Sequence, residues 1–365
     1  MPDTTVPFDP ALPAEEFLRA AMRWHFSPET GSPFWLKRAA ELDFDPLTDI
    51  NGWDDLDRFP DVSEEWRDVP VDALVPAGTG RDAWDFQVFD SGGTTGRPKR
   101  IVESTSRRNG VRWVSDVLTE HGIPGEGEGH WLHVGPTGPH IVGRSVGLLA
   151  QLRSTFCHYI DFDPRWVKGS VKAGRAEEAA RYVAHILAQA RDVLATQPVS
   201  VLFATPPVLE AIAADEHLLS LVQQKVRGIV WAGTSIGPET LRAFEEEIFP
   251  DAVVVGLYGN TMMGIAPQRP RTGEPDDERC VFVPYHPFSR VRVVDPEDTR
   301  TEVGYGERGQ ARISLVSRDL FLPWTLERDS VLRIAPTAGY PQDGLADVRP
   351  LTAPGGAQSV VEGVY

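Results

Sequence analysis

The sequence predicts an α/β protein in which sheets of buried strands are layered with helices and joined to a smaller β-rich subdomain. Between residues 176 and 260 apolar strand-like runs alternate with helix-like segments, the grammar of a parallel sheet covered on both faces. After Gly273 only short strand-like runs remain, separated by Gly, Pro and Asp. The 365 residues are 41% hydrophobic and 24% charged, enough for a large core and about two and a half domain equivalents.

Residues 1–80 carry clusters of Pro, Asp and Trp (Trp24, Trp35, Trp53, Trp66) with short helical patterns at Ala14 to His25 and Pro33 to Glu41. They are expected to wrap on the main body, because no long periodic element supplies a second core. Residues 81–270 are expected to form the α/β core. WDFQVFD reads as a strand that stops at the small-residue loop SGGTTGRPK, and RIVES resumes as a second strand. A helix is predicted from Ala176 to Leu194, with Ala179, Val183, Ile186, Leu187, Ala190, Val193 and Leu194 on one stripe. Ser200 to Ala204, Gly228 to Ala232 and Ala252 to Gly256 read as strands. Pro206 and Pro207 open one helix, and PETLRAFEEEIF forms another with Glu245 to Glu247 on a solvated face. Residues 271–365 complete the chain as the β-rich subdomain, with strands at VFVPYH, FSRVRVVD and GQARISLV, and a tail.

The formal net charge of −17 repels phosphate backbones and anionic lipid surfaces, which argues against nucleic-acid and membrane partners. The two cysteines, Cys157 and Cys280, are too few and too far apart for a disulfide framework or a Cys-rich zinc site, and read as free thiols. The acidic, Pro-rich first residues lack the features of a secretory signal, and runs such as Val146 to Ala150 fall far short of the ~20 residues of a membrane span. A soluble cytoplasmic protein is expected.

The strongest local feature is Ser91-Gly92-Gly93-Thr94-Thr95-Gly96-Arg97-Pro98-Lys99. Three glycines let a tight backbone converge its N–H groups on one point, hydroxyls add donors, and Arg97, Lys99 and Arg100 add positive charge. Such a nest suits a polyphosphate; the plainer alternative is a hairpin tip rich in Gly and Thr. Gly92 and Gly96 are wrongly spaced for a Walker P-loop, and no Gly-Lys-Ser/Thr opens a helix.

This loop resembles the phosphate-binding loop of the adenylate-forming superfamily, which includes acyl-CoA synthetases, peptide-synthetase adenylation domains and beetle luciferase. Three further blocks follow in the family's order: Ala232-Gly233-Thr234-Ser235, Gly256-Leu-Tyr-Gly-Asn-Thr261, and Gly304-Tyr-Gly-Glu-Arg-Gly-Gln with Asp329 beyond it. The resemblance covers residues 85 to 350 and implies the large N-terminal portion of the adenylate-forming fold, with the family's mobile C-terminal domain absent. It implies ATP as the nucleotide, AMP in the product, and acyl-adenylate formation from a carboxylic acid, with Lys99, Thr261 and His140 catalytic. Ser91, Gly92, Gly93, Thr94, Thr95 and Gly96 would cradle phosphate, and Gly233, Thr234, Tyr258, Gly259 and Asn260 would line the adenine side. Asp329 would take the ribose hydroxyls.

His130, His133 and His140 lie in GHWLHVGPTGPHIVGRSVG, where the family begins its acyl site. His140, Gly143, Arg144 and Gly256 are the implied substrate contacts, with Arg144 a charge partner for His140. His133 is equally a hydrogen-bonded core residue, Trp131 reads as core, and the His-x-x-His pair lacks a carboxylate for zinc. No metal ligand is assigned. Mg²⁺ is expected with ATP, but Met262 stands where the family places a magnesium-holding glutamate, and a thioether does not replace a carboxylate for a hard cation. Short stand-alone members of the griseoluteate type, from phenazine-antibiotic biosynthesis, are the nearer resemblance, with phenylacetate-CoA ligase less close. An aryl acid and a downstream reductase or other acyl acceptor protein are therefore expected. Other readings stay open: a catalytically weak binder of an acyl-adenylate or carboxylate, a CoA ligase of phenylacetate type, or an NTPase using the same loop. The sequence leaves the oligomeric state open.

Overall fold

A computed structural model describes residues 9–80, 86–91, 97–271 and 280–351. The helices are α1 (Ala14–Phe26), α2 (Pro33–Ala39), α3 (Pro46–Asp49), α4 (Thr105–Glu120), α5 (Ile141–Leu152), α6 (Pro164–Lys172), α7 (Ala176–Thr196), α8 (Pro206–Ala213), α9 (Glu216–Lys225) and α10 (Pro238–Ala243). The strands are β1 (Gln87–Asp90), β2 (Arg100–Glu103), β3 (His130–Gly135), β4 (Cys157–Asp161), β5 (Val199–Ala204), β6 (Gly228–Ala232), β7 (Val253–Asn260), β8 (Gly264–Pro267), β9 (Val281–Phe282), β10 (Ser289–Val294), β11 (Arg308–Val316), β12 (Phe321–Ile334) and β13 (Gly344–Pro350). Local chemistry fixes many helix starts. Ser32, Asp45, Asp163 and Asp215 cap orphan amides of α2, α3, α6 and α9, and proline occupies the first turn of α2, α3, α6, α8 and α10.

Two compact units are formed, one from Met1–Gly110, Thr261–Gly264 and Pro284–Gly344, the other from Val111–Asn260, Ile265–Val283 and Leu345–Tyr365. The first has an aromatic core. Phe26, Trp35 and Phe59 surround Phe321 of β12 with ring centroids 4.9–5.5 Å away in edge-to-face arrangements. Two buried indoles place their N–H groups on backbone carbonyls: Trp24 on Arg318 at 2.9 Å and Trp35 on Phe321 at 3.1 Å. The N-terminal helices and β12 therefore share one core. Strands β10, β11 and β12 pair antiparallel, and β1 pairs with β2 as a hairpin in which Asp90 faces Arg100. The carboxylate of Asp319 accepts from the amides of Ser104 and Ser106 at 2.9 and 3.0 Å, capping α4.

The second unit is built on a six-stranded sheet in the order β4-β3-β5-β6-β7-β8, with β4, β3, β5, β6 and β7 mutually parallel. Val111, Val114 and Leu118 of α4 and Val146, Leu149 and Ala150 of α5 pack on Trp131, Val201, Phe203, Val230, Val255 and Leu257 of one sheet face. From β3 the chain passes to the edge strand β4 and then returns to the other side of β3 as β5. The carboxyl ends of β3 and β5 thus flank a topological switch point, where open α/β sheets bind their ligands.

Several boundaries differ from the sequence expectation. VFVPYH is a strand only at Val281–Phe282, since Pro284 has no N–H to offer a ladder. The strand expected from Ala252 to Gly256 runs from Val253 to Asn260, so Tyr258 and Gly259 also sit in β7. PETLRAFEEEIF is α-helical to Ala243 and then forms a π-turn at Phe244–Ile248. Of WDFQVFD, Gln87–Asp90 is strand, and Trp84 and Asp85 lie outside the described residues. The α4 segment TSRRNGVRWVSDVLTE shows an apolar stripe only from Val111 onward, which hid the helix from periodicity.

At the end of α5, Arg153 is buried and its guanidinium donates to Ser115 O at 2.6 Å, Pro124 O at 2.8 Å, Thr119 Oγ1 at 2.9 Å and Ile123 O at 3.2 Å. These acceptors are the last turn of α4 and the chain leaving it, where a cation complements the helix dipole. Arg153→Met leaves these carbonyls desolvated, and the expected loss is roughly 3 kcal/mol. Thermal unfolding checks this: a melting temperature unchanged from that of the parent chain would show that the clamp contributes nothing.

Candidate active site

In the first unit the base of the glycine-rich loop is closed by two hydrogen bonds. Ser91 N donates to Lys99 O at 2.9 Å, and Lys99 N donates to Ser91 Oγ at 2.8 Å. Gly92, Gly93, Thr94, Thr95 and Gly96 lie outside the described residues. Thr261 is buried, and its hydroxyl donates to Asp90 O at 3.2 Å, one residue before the loop. Thr261 and the end of β1, 171 positions apart in sequence, are thereby brought together. At the start of α4 the Ser104 and Ser106 amides are engaged by Asp319.

Those cations are all paired. Lys99 Nζ lies 2.8 Å from Glu64 Oε1 and donates to Ser63 Oγ at 2.8 Å. Ser63 is buried and lies 2.8 Å from Thr325 Oγ1, which donates to Asp61 Oδ2 at 3.1 Å. The proton directions are consistent along this chain: ammonium to Ser63, Ser63 to Thr325, Thr325 to carboxylate. Arg67 Nε donates to Glu64 Oε2 at 2.7 Å, and the Arg67 and Lys99 hydrogen bonds pull the Glu64 carboxyl down to about 2. Arg97 pairs with Asp68, Arg67 donates to Arg97 O, and Arg100 lies 3.4 Å from Asp90. The segment 61–68 was not legible as part of the site, because nothing in an acidic surface stretch says which cations it will meet.

Asp329 lies in a bulge of β12. Gln310 pairs with Ser330 and Arg312 with Leu326, so residues 327–329 stand opposite Ala311 alone. Four positions along the same strand from Thr325, it lies within about 13 Å of the Lys99 contacts' β12 anchor. Met262 and Met263, 4% and 3% exposed, are packing residues. Among the described residues no group of three or more His, Cys, Asp or Glu is arranged to hold a metal ion. Neither thioether offers the oxygen donor that Mg²⁺ takes.

In the second unit Gly233 follows β6 with φ +94°, a left-handed turn that favours glycine. The hydroxyl of Thr234 is buried with no partner among the described residues. Gly256 is required by close packing: a Cβ there would lie 2.6 Å from Trp231 Cζ2 and 3.1 Å from Cys280 Sγ. Its amide donates to Gln268 Oε1 at 2.9 Å, which fixes β7 beside the residues that follow β8. Tyr258 is 5% exposed, with its ring 5.7 Å from that of Phe282. Gly259 and Asn260 end β7.

The segment 136–140 leaves β3 at the topological switch point. His140 is buried at the N-cap of α5, its amide donating to Thr137 O at 3.0 Å. Gly143 permits the close approach of this segment to α5, since a Cβ would lie 2.7 Å from Pro136 O. Arg144 is exposed, and its charge acts on Tyr159, whose hydroxyl burial pushes up to about 12. His130 meets His158 of the edge strand, Nδ1 to Nε2, at 3.0 Å. His133 is fully buried 5.0 Å from the Phe203 ring, and Nε2 donates to Pro136 O at 3.2 Å. Its Nδ1 has no partner among the described residues. Burial lowers the His133 imidazole to about 4. Because the folded value lies below the unfolded one, its contribution to stability is complete above pH 6.5 and is lost as pH falls towards 4. An NMR titration of the His133 ring is expected to show a midpoint near 4; a midpoint at or above the unperturbed value contradicts the neutral, buried assignment.

No protein-family profile matches the sequence, and no curated protein does. Solved structures do. The chain is similar to 2-hydroxyisobutyryl-CoA ligase in complex with 2-HIB-AMP and CoA in the thioesterification state, with TM-score 0.60 and 14% identity over 93% of this chain and 69% of the ligase. An open conformation of that ligase with the same ligands matches with TM-score 0.61 and 14% identity over 92% and 69% of the two chains. Its postadenylation state with R3-HIB-AMP matches with TM-score 0.60 and 14% identity over 94% and 70%. The chain therefore has the fold of this acyl-CoA ligase, the adenylate-forming fold.

Proposed function

We propose that the protein activates a carboxylic acid with ATP, forming an acyl-adenylate and releasing pyrophosphate. The observation that carries this reading is the fold, shared over 93% of the chain with a ligase solved with 2-HIB-AMP. In the reaction a carboxylate oxygen attacks the α-phosphorus, the bond from that phosphorus to the oxygen bridging to the β-phosphate breaks, and pyrophosphate leaves with that oxygen. Catalysis of this transfer is mainly positioning and charge neutralisation. Lys99, with Ser91 and Gly92 to Gly96, is assigned the departing pyrophosphate, and Thr261 the α-phosphate. Gly233, Thr234, Tyr258, Gly259 and Asn260 are assigned the adenine side, and Asp329 the ribose hydroxyls. His140, Gly143, Arg144 and Gly256 are assigned the acid. ATP is the nucleotide this reading assigns, supported in one unit by the closed loop base and in the other by the Thr234 hydroxyl, buried with no partner among the described residues. No step is assigned to a protein-held metal, since Met262 and Met263 supply no hard donor.

The finer assignment is an aryl acid of phenazine type, handed on to a reductase or another acyl acceptor in antibiotic biosynthesis; the sequence resemblance supports it. A second reading, a weak catalyst that binds an acyl-adenylate, is favoured by one observation: methionines fill the position after Thr261 and are buried.

ATP–pyrophosphate exchange across aryl and alkyl acids tests the reaction. Acid-dependent exchange is expected, and its absence with every acid, with or without Mg²⁺, would sink the catalytic reading. Calorimetry that shows tight acyl-adenylate binding without AMP release supports the binder. Lys99→Ala is expected to weaken ATP binding by about 1.5–3 kcal/mol, the scale of a charged hydrogen bond; unchanged affinity would return the loop to a structural turn.

A further inference from the structure

We infer that Glu64 stands in for a phosphate on Lys99, so that a polyphosphate reaches this ammonium by displacing a carboxylate of the protein's own. This rests on the reading of the loop as a pyrophosphate site.

Among the described residues Lys99 Nζ has two partners of different kinds. Ser63 Oγ at 2.8 Å is a neutral, buried acceptor, tied through Thr325 to Asp61. Glu64 Oε1, also at 2.8 Å, belongs to a side chain that is 69% exposed. The Ser63 contact is built into the core of the unit, whereas the Glu64 carboxylate can swing into water at little cost, because exposed ion pairs add little stability. Glu64 also satisfies Arg67, and Asp68 pairs with Arg97 at the end of the loop. One short segment, residues 61–68, thus places two carboxylates on two loop cations and fixes the loop end through Arg67 and Arg97 O.

A dianionic or more highly charged phosphate approaching Lys99 meets Glu64 at the atom it seeks. Like charges at this spacing repel, so the carboxylate must leave as the phosphate arrives. Ser63 remains, holding the ammonium in place through the exchange. The expected result is a site whose cations are compensated when no ligand is bound. Its affinity for polyphosphate is lowered by the strength of the Glu64 pair, and removal of that carboxylate tightens binding. The hydrogen bonds from Arg67 and Lys99 pull the Glu64 carboxyl down to about 2, so acid in the physiological range does not release it. Ligand charge, not pH, opens the pair.

Calorimetric titration of inorganic pyrophosphate and of ATP into the full chain tests this with E64Q, D68N, K99A and the E64Q/K99A double variant. E64Q is expected to bind pyrophosphate about two- to five-fold more tightly than the parent, with the gain shrinking as salt rises and vanishing when K99A is combined with it. D68N is expected to shift affinity in the same direction through Arg97, which keeps the test decisive if E64Q does not fold. Affinity in E64Q and D68N equal to the parent's overturns the displacement, and binding weaker than the parent's overturns it too, showing that Glu64 orients Lys99 instead. If the parent and every variant bind neither pyrophosphate nor ATP, the loop assignment itself fails and the displacement with it. Tighter binding in E64Q that persists in E64Q/K99A overturns the role of Lys99 in the exchange.

Discussion

A chain with a net charge of −17 meets an anion only where its own carboxylates allow it, and this constraint organises the first unit. Lys99, Arg97 and Arg100 are all compensated locally, by Glu64, Asp68 and Asp90. Compensation keeps the cations ordered and solvated carboxylates close by, at the expense of the positive field that a bare loop would present. The buried contacts decide which pairs are permanent. Ser63, Thr325 and Asp61 hold the ammonium from the core side, and the core that anchors them is the aromatic cluster around Phe321 on the same strand as Thr325. Strand β12 therefore links the packing of the N-terminal helices to the position of one side-chain nitrogen, and its bulge at 327–329 sets where Asp329 stands.

The second unit works by close approach more than by charge. Gly256 lets Trp231 lie against β7, Gly143 lets the segment after β3 lie against α5, and Gly233 turns the chain as it leaves β6. Each of these positions follows a strand or faces one, and the sheet order places the end of β3 at the switch point. His133, neutral and buried under that end, has no partner for Nδ1 among the described residues. A rigid parallel sheet with small residues at the points of contact would supply the positioning on which the proposed nucleotidyl transfer depends most.

Much of this was legible in the residues. Alternation located β5, β6, β7 and α7, and the glycine-rich loop announced itself by composition. The loop's strand-to-strand setting also followed from its flanks. What remained hidden has physical reasons. Helix α4 begins with a polar half, so its period appears late. Strand β3, HWLHVG, carries two histidines that blunt its apolar character, although Trp131 and His133 are both buried. The partners of Lys99 were beyond reach, since Ser63, Glu64 and Thr325 come from distant positions and carry no motif. For the same reason the loop looked like an open positive pocket in sequence, whereas in the structure each of its cations already has a carboxylate.

The central claim, that a carboxylic acid attacks the α-phosphorus of ATP on this fold, is tested most directly by isotope transfer. An acid labelled with ¹⁸O in its carboxylate is incubated with ATP, the protein and an acyl acceptor, and the AMP formed is analysed by mass spectrometry. The account predicts one ¹⁸O atom in the AMP phosphoryl group, left there when the acyl group departs. Unlabelled AMP, or ADP and inorganic phosphate in its place, would contradict it.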